Sequence, residues 1–247
     1  MLEFMKPDRA WKWTAMGKHP SAPDFFNLGL SGPLSDGFYT WVRNGYGLLD
    51  LERGEQKAHF WRFWSRGSKK EELACGLLRD STDRIGRPYP LLLMGIGLLN
   101  GWEEFWDLLP LACEGPWHQM ESISNRSFPD LKDVEVALGK MRGPRPDWEE
   151  LTSAGRATES RLGELCNVRE FEGGVSDLRT RGDFFIRLDQ NGCEDYLTAC
   201  SIRHSLLKNR FGYDPKTVFM GGSSTEVYLA VFGRPLAAQD FVRLWSV

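Results

Sequence analysis

The sequence lacks any apolar run long enough to cross a membrane. Its most apolar stretch is Leu91 to Leu99, which is nine residues long and contains two glycines. A membrane-spanning helix needs about 20 apolar residues. Residues 1–8 also lack the basic region followed by an apolar region that marks a secretory signal. We therefore expect neither membrane insertion nor a secretory leader.

Cysteine is scarce and scattered through the chain. An odd number of cysteines without a CxxC pair is untypical of a disulfide framework or of a zinc site. The five cysteines are Cys75, Cys113, Cys166, Cys193 and Cys200. This usage indicates reduced thiols and a cytoplasmic protein. The four histidines lie far apart in sequence, so no metal site is predicted.

Neither sign of charge is in large excess. The chain has 31 Lys and Arg against 34 Asp and Glu, a formal net charge of −3. This balance gives no reason to expect a nucleic-acid partner. Hydrophobic residues make up 41% of the 247 residues, which is an ordinary globular composition. The length corresponds to one large domain or two small ones.

Common enzyme signatures are absent as well. The sequence contains no GxxxxGK[ST], HExxH or GxSxG motif, so we predict no catalytic residues and no cofactor. Two alternatives stay open. Cys200 and His204, at helical spacing, could act as nucleophile and base in an uncharacterised hydrolase, although a core histidine explains His204 better. The glycines of residues 221–224 could hold the anion in a small-anion or nucleotide sensor, although a hairpin turn explains them more simply.

Tryptophan, in contrast, is abundant. The chain has ten tryptophans, and this side chain suits both protein cores and protein-binding surfaces. We favour a tryptophan-rich core, because a binding surface would require several of these side chains to be exposed together.

Apolar patterning predicts an α+β fold. The predicted strands are residues 11–16, 58–64, 73–78, 91–99, 184–188, 217–220 and 227–232. Residues 17–32 are predicted as a loop, and a helix is predicted to begin at Pro33. Further helices are predicted at 102–109, 128–139, 147–166, 193–209 and 235–245. Strands that follow one another without regular helix alternation favour a mostly antiparallel sheet with helices packed on it.

A Gly-Pro-Arg-Pro tetrapeptide at residues 143–146 is the best linker in the chain. It separates an N-terminal part, residues 1–142, from a C-terminal α+β part, residues 147–247. We expect the two parts to pack on the same sheet as one compact unit.

The densest polar motif runs from Asp83 to Pro90. Two guanidinium groups, of Arg84 and Arg87, flank Gly86 ahead of a buried strand, and Asp24 in the first loop is a natural partner for either arginine. These side chains could form an arginine–carboxylate fork that ties the turn to the sheet. They could instead form an anion-binding or partner-binding corner, or the active site of an uncharacterised hydrolase. The residues alone favour the structural role.

The first loop, which contains Asp24, and the Asp83 motif both resemble sequence blocks of a known family. Residues 17–26 (GKHPSAPDFF) are similar to the opening G-K-x-P-x-x-G-D-F block of the TagF (ImpM-type) family of type VI secretion-associated proteins. Residues 81–91 (STDRIGRPYPL) resemble that family's S-x-D-R-x-G-R-x-(F/Y)-P-L block. More weakly, the strand from Thr217 to Gly222 and the following hairpin resemble the C-terminal strand pair of longer members.

The resemblance implies a regulator without catalytic activity. Such a protein would act in the bacterial cytoplasm as a post-translational repressor of type VI secretion. It would work by protein–protein interaction, with a forkhead-associated scaffold protein as the suspected partner. Asp24, Asp83, Arg84, Gly86 and Arg87 carry over as motif positions with a structural or interface role.

Overall fold

The computed structural model describes residues 11–29, 32–49, 57–159, 168–189, 196–210 and 212–247. Across these ranges eight strands form one sheet, and every neighbouring pair is antiparallel. The strands are β1 (Lys12–Gly17), β2 (Phe26–Gly29), β3 (Phe60–Arg66), β4 (Glu72–Arg79), β5 (Leu91–Leu98), β6 (Asp183–Arg187), β7 (Thr217–Gly222) and β8 (Val227–Phe232). Their order across the sheet is β2-β1-β5-β4-β3-β7-β8-β6. The predicted α+β class is therefore confirmed.

Helices cover both faces of the sheet. Those within the described ranges are α1 (Pro33–Tyr46), α2 (Leu109–Ala112), α3 (Glu114–Asn125), α4 (Leu131–Gly139), α5 (Trp148–Glu159), α6 (Val168–Arg181), α7 (Tyr196–Ser205) and α8 (Ala238–Leu244). One core lies under α1 and α8, and a larger core lies under the helices between β5 and β7. Because side chains alternate along a strand, β3 directs Trp61 and Phe63 into the first core and Trp64 into the second.

Tryptophan fills these cores. Trp61, Trp64, Trp102 and Trp117 are completely buried. None of the ten tryptophans is exposed, and the least buried of them are partly covered. The interpretation of the tryptophans as core residues is therefore confirmed.

Two segments differ from their predicted conformation. The loop predicted over residues 17–32 contains β2, a strand of four residues that is too short to show a period in sequence. The helix predicted over residues 102–109 is a series of turns followed by a short 3-10 helix, Trp106–Leu108. Here packing overrides helical spacing, because Trp102 and Trp106 both lie beside Trp64, with ring centroids 6.1 and 6.0 Å away.

The C-terminal half contains a helix that the apolar pattern of the sequence does not predict. It is α6, where Phe171, Val175 and Leu178 line one face and enter the larger core. Its two adjacent central glycines have low helix propensity, which hides the helix in the sequence. The helix predicted over 193–209 begins at Tyr196 within the described part of the chain and ends in a π turn, Leu206–Arg210.

The connection between the two predicted parts packs against the core. Gly143 and Pro144 are buried, and a Cβ on Gly143 would lie 2.3 Å from the Trp11 ring. Strands from both sides of this connection share the sheet, since β3 pairs with β7 over Phe60–Ser65.

Candidate functional site

Two loops at one end of the sheet form the candidate site. Residues 18–25 follow β1, and residues 80–90 join β4 to β5. Because β1 and β5 pair with Gly17 opposite Leu91, the end of β1 lies beside the start of β5. The two sequence motifs therefore meet in space. We call these joined loops the Asp83 corner.

Two glycines allow the backbone to form this corner. Gly17 has a φ of +114°, and a Cβ there would lie 2.0 Å from the Pro90 carbonyl oxygen. Gly86 has a φ of +85° and donates its N–H to the Asp83 carbonyl at 3.0 Å. Side chains strongly disfavour such positive φ values, so glycine suits both positions.

The Asp83 carboxylate is the centre of the corner. Its side chain is completely buried and accepts four hydrogen bonds. Oδ1 accepts the backbone N–H groups of Ile85 at 3.1 Å and of Arg87 at 3.0 Å. Oδ2 accepts hydrogen bonds from Arg87 Nε at 2.6 Å and from Lys18 Nζ at 3.0 Å. Every acceptor position of this carboxylate faces a donor supplied by the chain itself.

These donors keep Asp83 ionised. Burial from water acts to raise the pKa of the Asp83 carboxyl. The hydrogen bonds from the Arg87 backbone, from Lys18 and from the Arg87 side chain outweigh that effect and hold the pKa far below its usual range. The carboxylate therefore neither donates nor takes up a proton near neutral pH, which makes it unsuited to acid–base catalysis.

Arg87 joins the second loop to the first. Its Nη2 lies 3.1 Å from Asp24 Oδ2 and donates to the Pro23 carbonyl at 3.1 Å. Hydrogen bonding to Asp83 is the main cause that raises the pKa of Arg87. Asp24 accepts the Phe25 backbone N–H at 2.8 Å, which is the main cause that lowers the pKa of its carboxyl.

Arg84 is held differently. Its backbone N–H donates to the Ala22 carbonyl at 2.8 Å, and its Nη2 donates to the Ser21 carbonyl at 3.0 Å. The side chain is exposed, and it forms no ion pair with any residue in the described ranges. Arg84 therefore contributes an uncompensated positive charge to the surface.

The outer surface of the corner also carries two exposed apolar side chains. Ile85, at the tip of the second loop, is 73% exposed, and Phe25 in the first loop is 54% exposed. Phe25 is nevertheless held on two sides, by an edge-to-face contact with Tyr89 at 4.5 Å and by Lys18 Nζ at 4.7 Å from its ring centroid. Burial raises the pKa of Tyr89 to about 12, so this hydroxyl stays neutral.

All five predicted site residues lie in this corner. Lys18, Phe25 and Ile85 are not among the predicted site residues. Lys18 and Phe25 match fixed positions of the motif in residues 17–26, and this match could have identified them as site residues. Ile85 lies inside the second quoted motif, residues 81–91, but at one of its variable positions, and an isoleucine ahead of a buried strand is expected to be covered.

The Cys200–His204 pair does not form a reactive site. His204 is completely buried, and its Nδ1 contacts the Cys200 carbonyl at 2.7 Å. Its Nε2 accepts the Trp64 indole N–H at 3.1 Å, so Nδ1 carries the proton. Burial lowers the pKa of His204 to about 4. With both nitrogens occupied and the Cys200 thiol buried, His204 is a core histidine.

The glycine hairpin does not form an anion cradle either. Gly221 and Gly222 belong to β7, where Cβ atoms would lie 2.1 Å from the Phe60 carbonyl oxygen and 2.2 Å from the Glu226 carbonyl oxygen. The Ser223 N–H donates to the Glu226 carbonyl at 3.0 Å. These glycines therefore serve close strand packing. Within the described ranges, no cluster of three His, Cys, Asp or Glu side chains suits a metal ion.

A family profile matches the part of the chain that carries the corner. The profile is described as the TagF N-terminal domain, type VI secretion system-associated, and it matches residues 14–137. That span is about half of the chain and contains both loops.

The fold also occurs in a solved structure. The crystal structure of PA0076 from Pseudomonas aeruginosa PAO1 is similar with a TM-score of 0.55 and 17% sequence identity. The similarity covers 94% of this chain and 93% of that chain, and at this identity it shows a shared fold alone. No curated protein matches the sequence significantly. In the described part of the chain, no helix combines the length and apolarity that a membrane span requires.

Proposed function

Because the chain belongs to the TagF family of type VI secretion-associated proteins, we propose that it represses type VI secretion by binding another protein. In this proposal it acts in the bacterial cytoplasm, after translation and without catalysis. Its partner is a cytoplasmic component of the secretion system, with the forkhead-associated scaffold protein as the leading candidate. The Asp83 corner is the binding surface.

One observation carries this proposal. The carboxylates and Arg87 of the corner are paired with one another, whereas Phe25 and Ile85 face solvent on the same pair of loops. A large apolar side chain that is exposed yet held rigidly loses little conformational entropy on binding. Exposed apolar side chains next to arginine are typical of protein-binding surfaces.

The same geometry argues against the hydrolase alternative. Arg87 is paired with Asp83 and Asp24, whose negative charges offset its own, so it is poorly placed to stabilise a developing negative charge. Asp83 is enclosed by four donors and cannot reach a substrate. An architectural role of this ion cluster, which holds the two loops in one shape, accounts for every contact it makes.

The test compares two exposed apolar positions. Ile85→Asp changes the tip of the Asp83 corner, and Val136→Asp changes α4, where Val136 is 54% exposed. Each variant is assayed for co-purification with the forkhead-associated scaffold of the same bacterium, and for repression of type VI secretion when it is overproduced. Circular dichroism confirms that both variants are folded. We expect wild type and Val136→Asp to bind and repress, and Ile85→Asp to lose at least tenfold in affinity.

Two results would count against the proposal. Secretion that is insensitive to both deletion and overproduction of the chain would remove the regulatory role. Equal binding by all three proteins would move the interface away from the Asp83 corner.

A further inference from the structure

An aromatic row links the Asp83 corner to helix α1 through the buried ring of Tyr89. Phe25 meets Tyr89 edge-on at 4.5 Å, and Tyr89 meets Tyr46 of α1 at 4.8 Å. The Tyr46 hydroxyl donates to the Pro88 carbonyl at 3.3 Å, which ties α1 to the second loop of the corner. These contacts therefore hold the corner and the helix in a fixed relative position, with their exposed side chains on either side of buried Tyr89.

Helix α1 adds a second uncompensated cation to this surface. Tyr39, Arg43 and Tyr46 are spaced four and three residues apart, so they lie on one side of the helix. The Arg43 guanidinium is exposed and lies 5.9 Å from the Tyr39 ring centroid. Like Arg84, Arg43 forms no ion pair with any residue among those the structure describes. The positive charge of Arg43 is close enough to Tyr89 to lower the pKa of its hydroxyl, although burial, which raises this pKa, has the larger effect.

The carboxylates close to this surface have partners of their own. Asp83 is buried beneath Lys18 and Arg87, and Asp24 is paired with Arg87. Asp80 accepts hydrogen bonds from the His59 backbone and the Trp245 indole. Two guanidinium groups, of Arg43 and Arg84, are thus left to attract negative charge around the apolar side chains of Phe25 and Ile85.

We propose that this surface binds an acidic protein segment in which Asp or Glu side chains flank an aliphatic residue. The aliphatic side chain packs against Phe25 and Ile85, and the carboxylates face Arg84 and Arg43. The inference rests on the proposed function, because it specifies the chemistry of the partner at the same corner. Arginine suits this role, since its planar guanidinium pairs with a carboxylate through two hydrogen bonds.

A nucleic acid fits the surface less well. The chain as a whole carries a formal charge of −3, so its field repels a polyanion at distances beyond the local contact. A short acidic segment brings few charges and supplies the aliphatic side chain that Phe25 and Ile85 require. Charge complementarity of this kind contributes mainly to specificity and association rate.

The experiment uses the full-length protein and an array of overlapping 15-residue peptides. The peptides cover the forkhead-associated scaffold and the other cytoplasmic type VI components of the same bacterium. Wild type is compared with Arg84→Glu and Arg43→Glu, and with Arg142→Glu as a control at an exposed arginine on the connection after α4. Peptides that bind are resynthesised with Gln and Asn in place of Glu and Asp. Their affinities are measured by fluorescence anisotropy at low and high salt.

We expect the bound peptides to be acidic with an internal aliphatic residue. Arg84→Glu and Arg43→Glu are each expected to weaken binding at least tenfold, whereas Arg142→Glu leaves it unchanged. The amide peptides and high salt should weaken it similarly. A blank array, binding to neutral or basic peptides, or binding unaffected by both charge reversals would overturn the inference. The scaffold test with Ile85→Asp is independent, so binding of the whole scaffold with a blank array would retain the proposed function and remove only the acidic segment.

Discussion

At the scale of single residues, the protein solves the problem of buried ionisable groups in two opposite ways. Asp83 is kept charged, because four donors surround its carboxylate. His204 is kept neutral, because burial lowers the pKa of its imidazole. The neutral ring is satisfied on both sides, since Nδ1–H donates to the Cys200 carbonyl and Nε2 accepts the Trp64 indole N–H. Burying a charge is tolerated only with full hydrogen bonding, and burying a neutral imidazole requires one donor and one acceptor.

The lowered pKa of His204 predicts a defined dependence of stability on pH. The unfolded state binds this proton at about pH 6.5 and the folded state only at about pH 4. The neutral imidazole of His204 therefore contributes its full stabilisation above pH 6.5. As the pH falls towards 4, the free energy of unfolding decreases by on the order of 3 kcal/mol. Urea unfolding between pH 4 and 7 measures this loss in the wild type.

His204→Gln is the matched variant, because its amide can donate to the Cys200 carbonyl and accept from Trp64. Gln does not titrate, so the free energy of unfolding of this variant should fall less steeply over the same range. His19, whose pKa burial also lowers, remains in both proteins and adds the same slope to each. An identical pH dependence in the two proteins would contradict the assignment to His204.

At the scale of elements, α6 is the clearest case of tertiary packing overriding propensity. Its neighbouring glycines have different surroundings. A Cβ on Gly173 would meet open space, whereas a Cβ on Gly174 would lie 2.1 Å from the Phe184 ring of β6. Gly174 therefore allows the helix to approach the strand closely, and Gly173 has no such role. The sequence shows two helix-breaking residues and cannot tell them apart.

Alanine substitutions at these two positions should have opposite effects. Gly173→Ala is expected to stabilise the protein by about 0.5–1 kcal/mol, because alanine loses less backbone entropy in a helix. Gly174→Ala is expected to destabilise it by about 1–3 kcal/mol, because Phe184 must move in a packed core. Urea denaturation measures both free energies. Equal effects of the two variants would show that α6 does not pack on β6 as described.

At the scale of the whole molecule, the sheet joins the two halves of the chain. The family profile ends at residue 137, yet β3 in that half pairs along Phe60–Ser65 with β7 from the other half. One helix layer also crosses the junction, since α1 packs against α8 in one core. We therefore propose that the predicted parts, residues 1–142 and 147–247, form one cooperative unit.

This proposal predicts that residues 1–142 do not fold alone. Without β7, one edge of β3 is unpaired, and Trp61 and Phe63 lose Phe219 and Phe241 from their core. Exposed apolar strand edges aggregate, so the fragment should be poorly folded or aggregated. The full chain should unfold in one transition, with tryptophan fluorescence and circular dichroism coinciding. A fragment 1–142 with its own cooperative transition would refute this prediction.

The sequence by itself determined the pieces that depend on local periodicity and backbone chemistry. Strand patterns located β1, β3, β4 and β5, Pro33 marked the start of α1, and the absence of helix alternation gave the antiparallel α+β class. The pairing of Asp24 with an arginine was also anticipated, because a carboxylate beside two guanidinium groups in a neighbouring motif has few better partners.

The tertiary structure decided which pieces meet. Sequence distance does not reveal that β1 lies beside β5, and this contact alone brings Lys18 to Asp83 and fuses the two loops. In the folded protein Ile85 is exposed, and residues 102–109 do not form a regular helix. Residues 168–181 form α6 although it contains two adjacent glycines. For residues 102–109 and for α6, the deciding contribution is burial against residues far away in the chain, which outweighs local preferences of about 1 kcal/mol per residue.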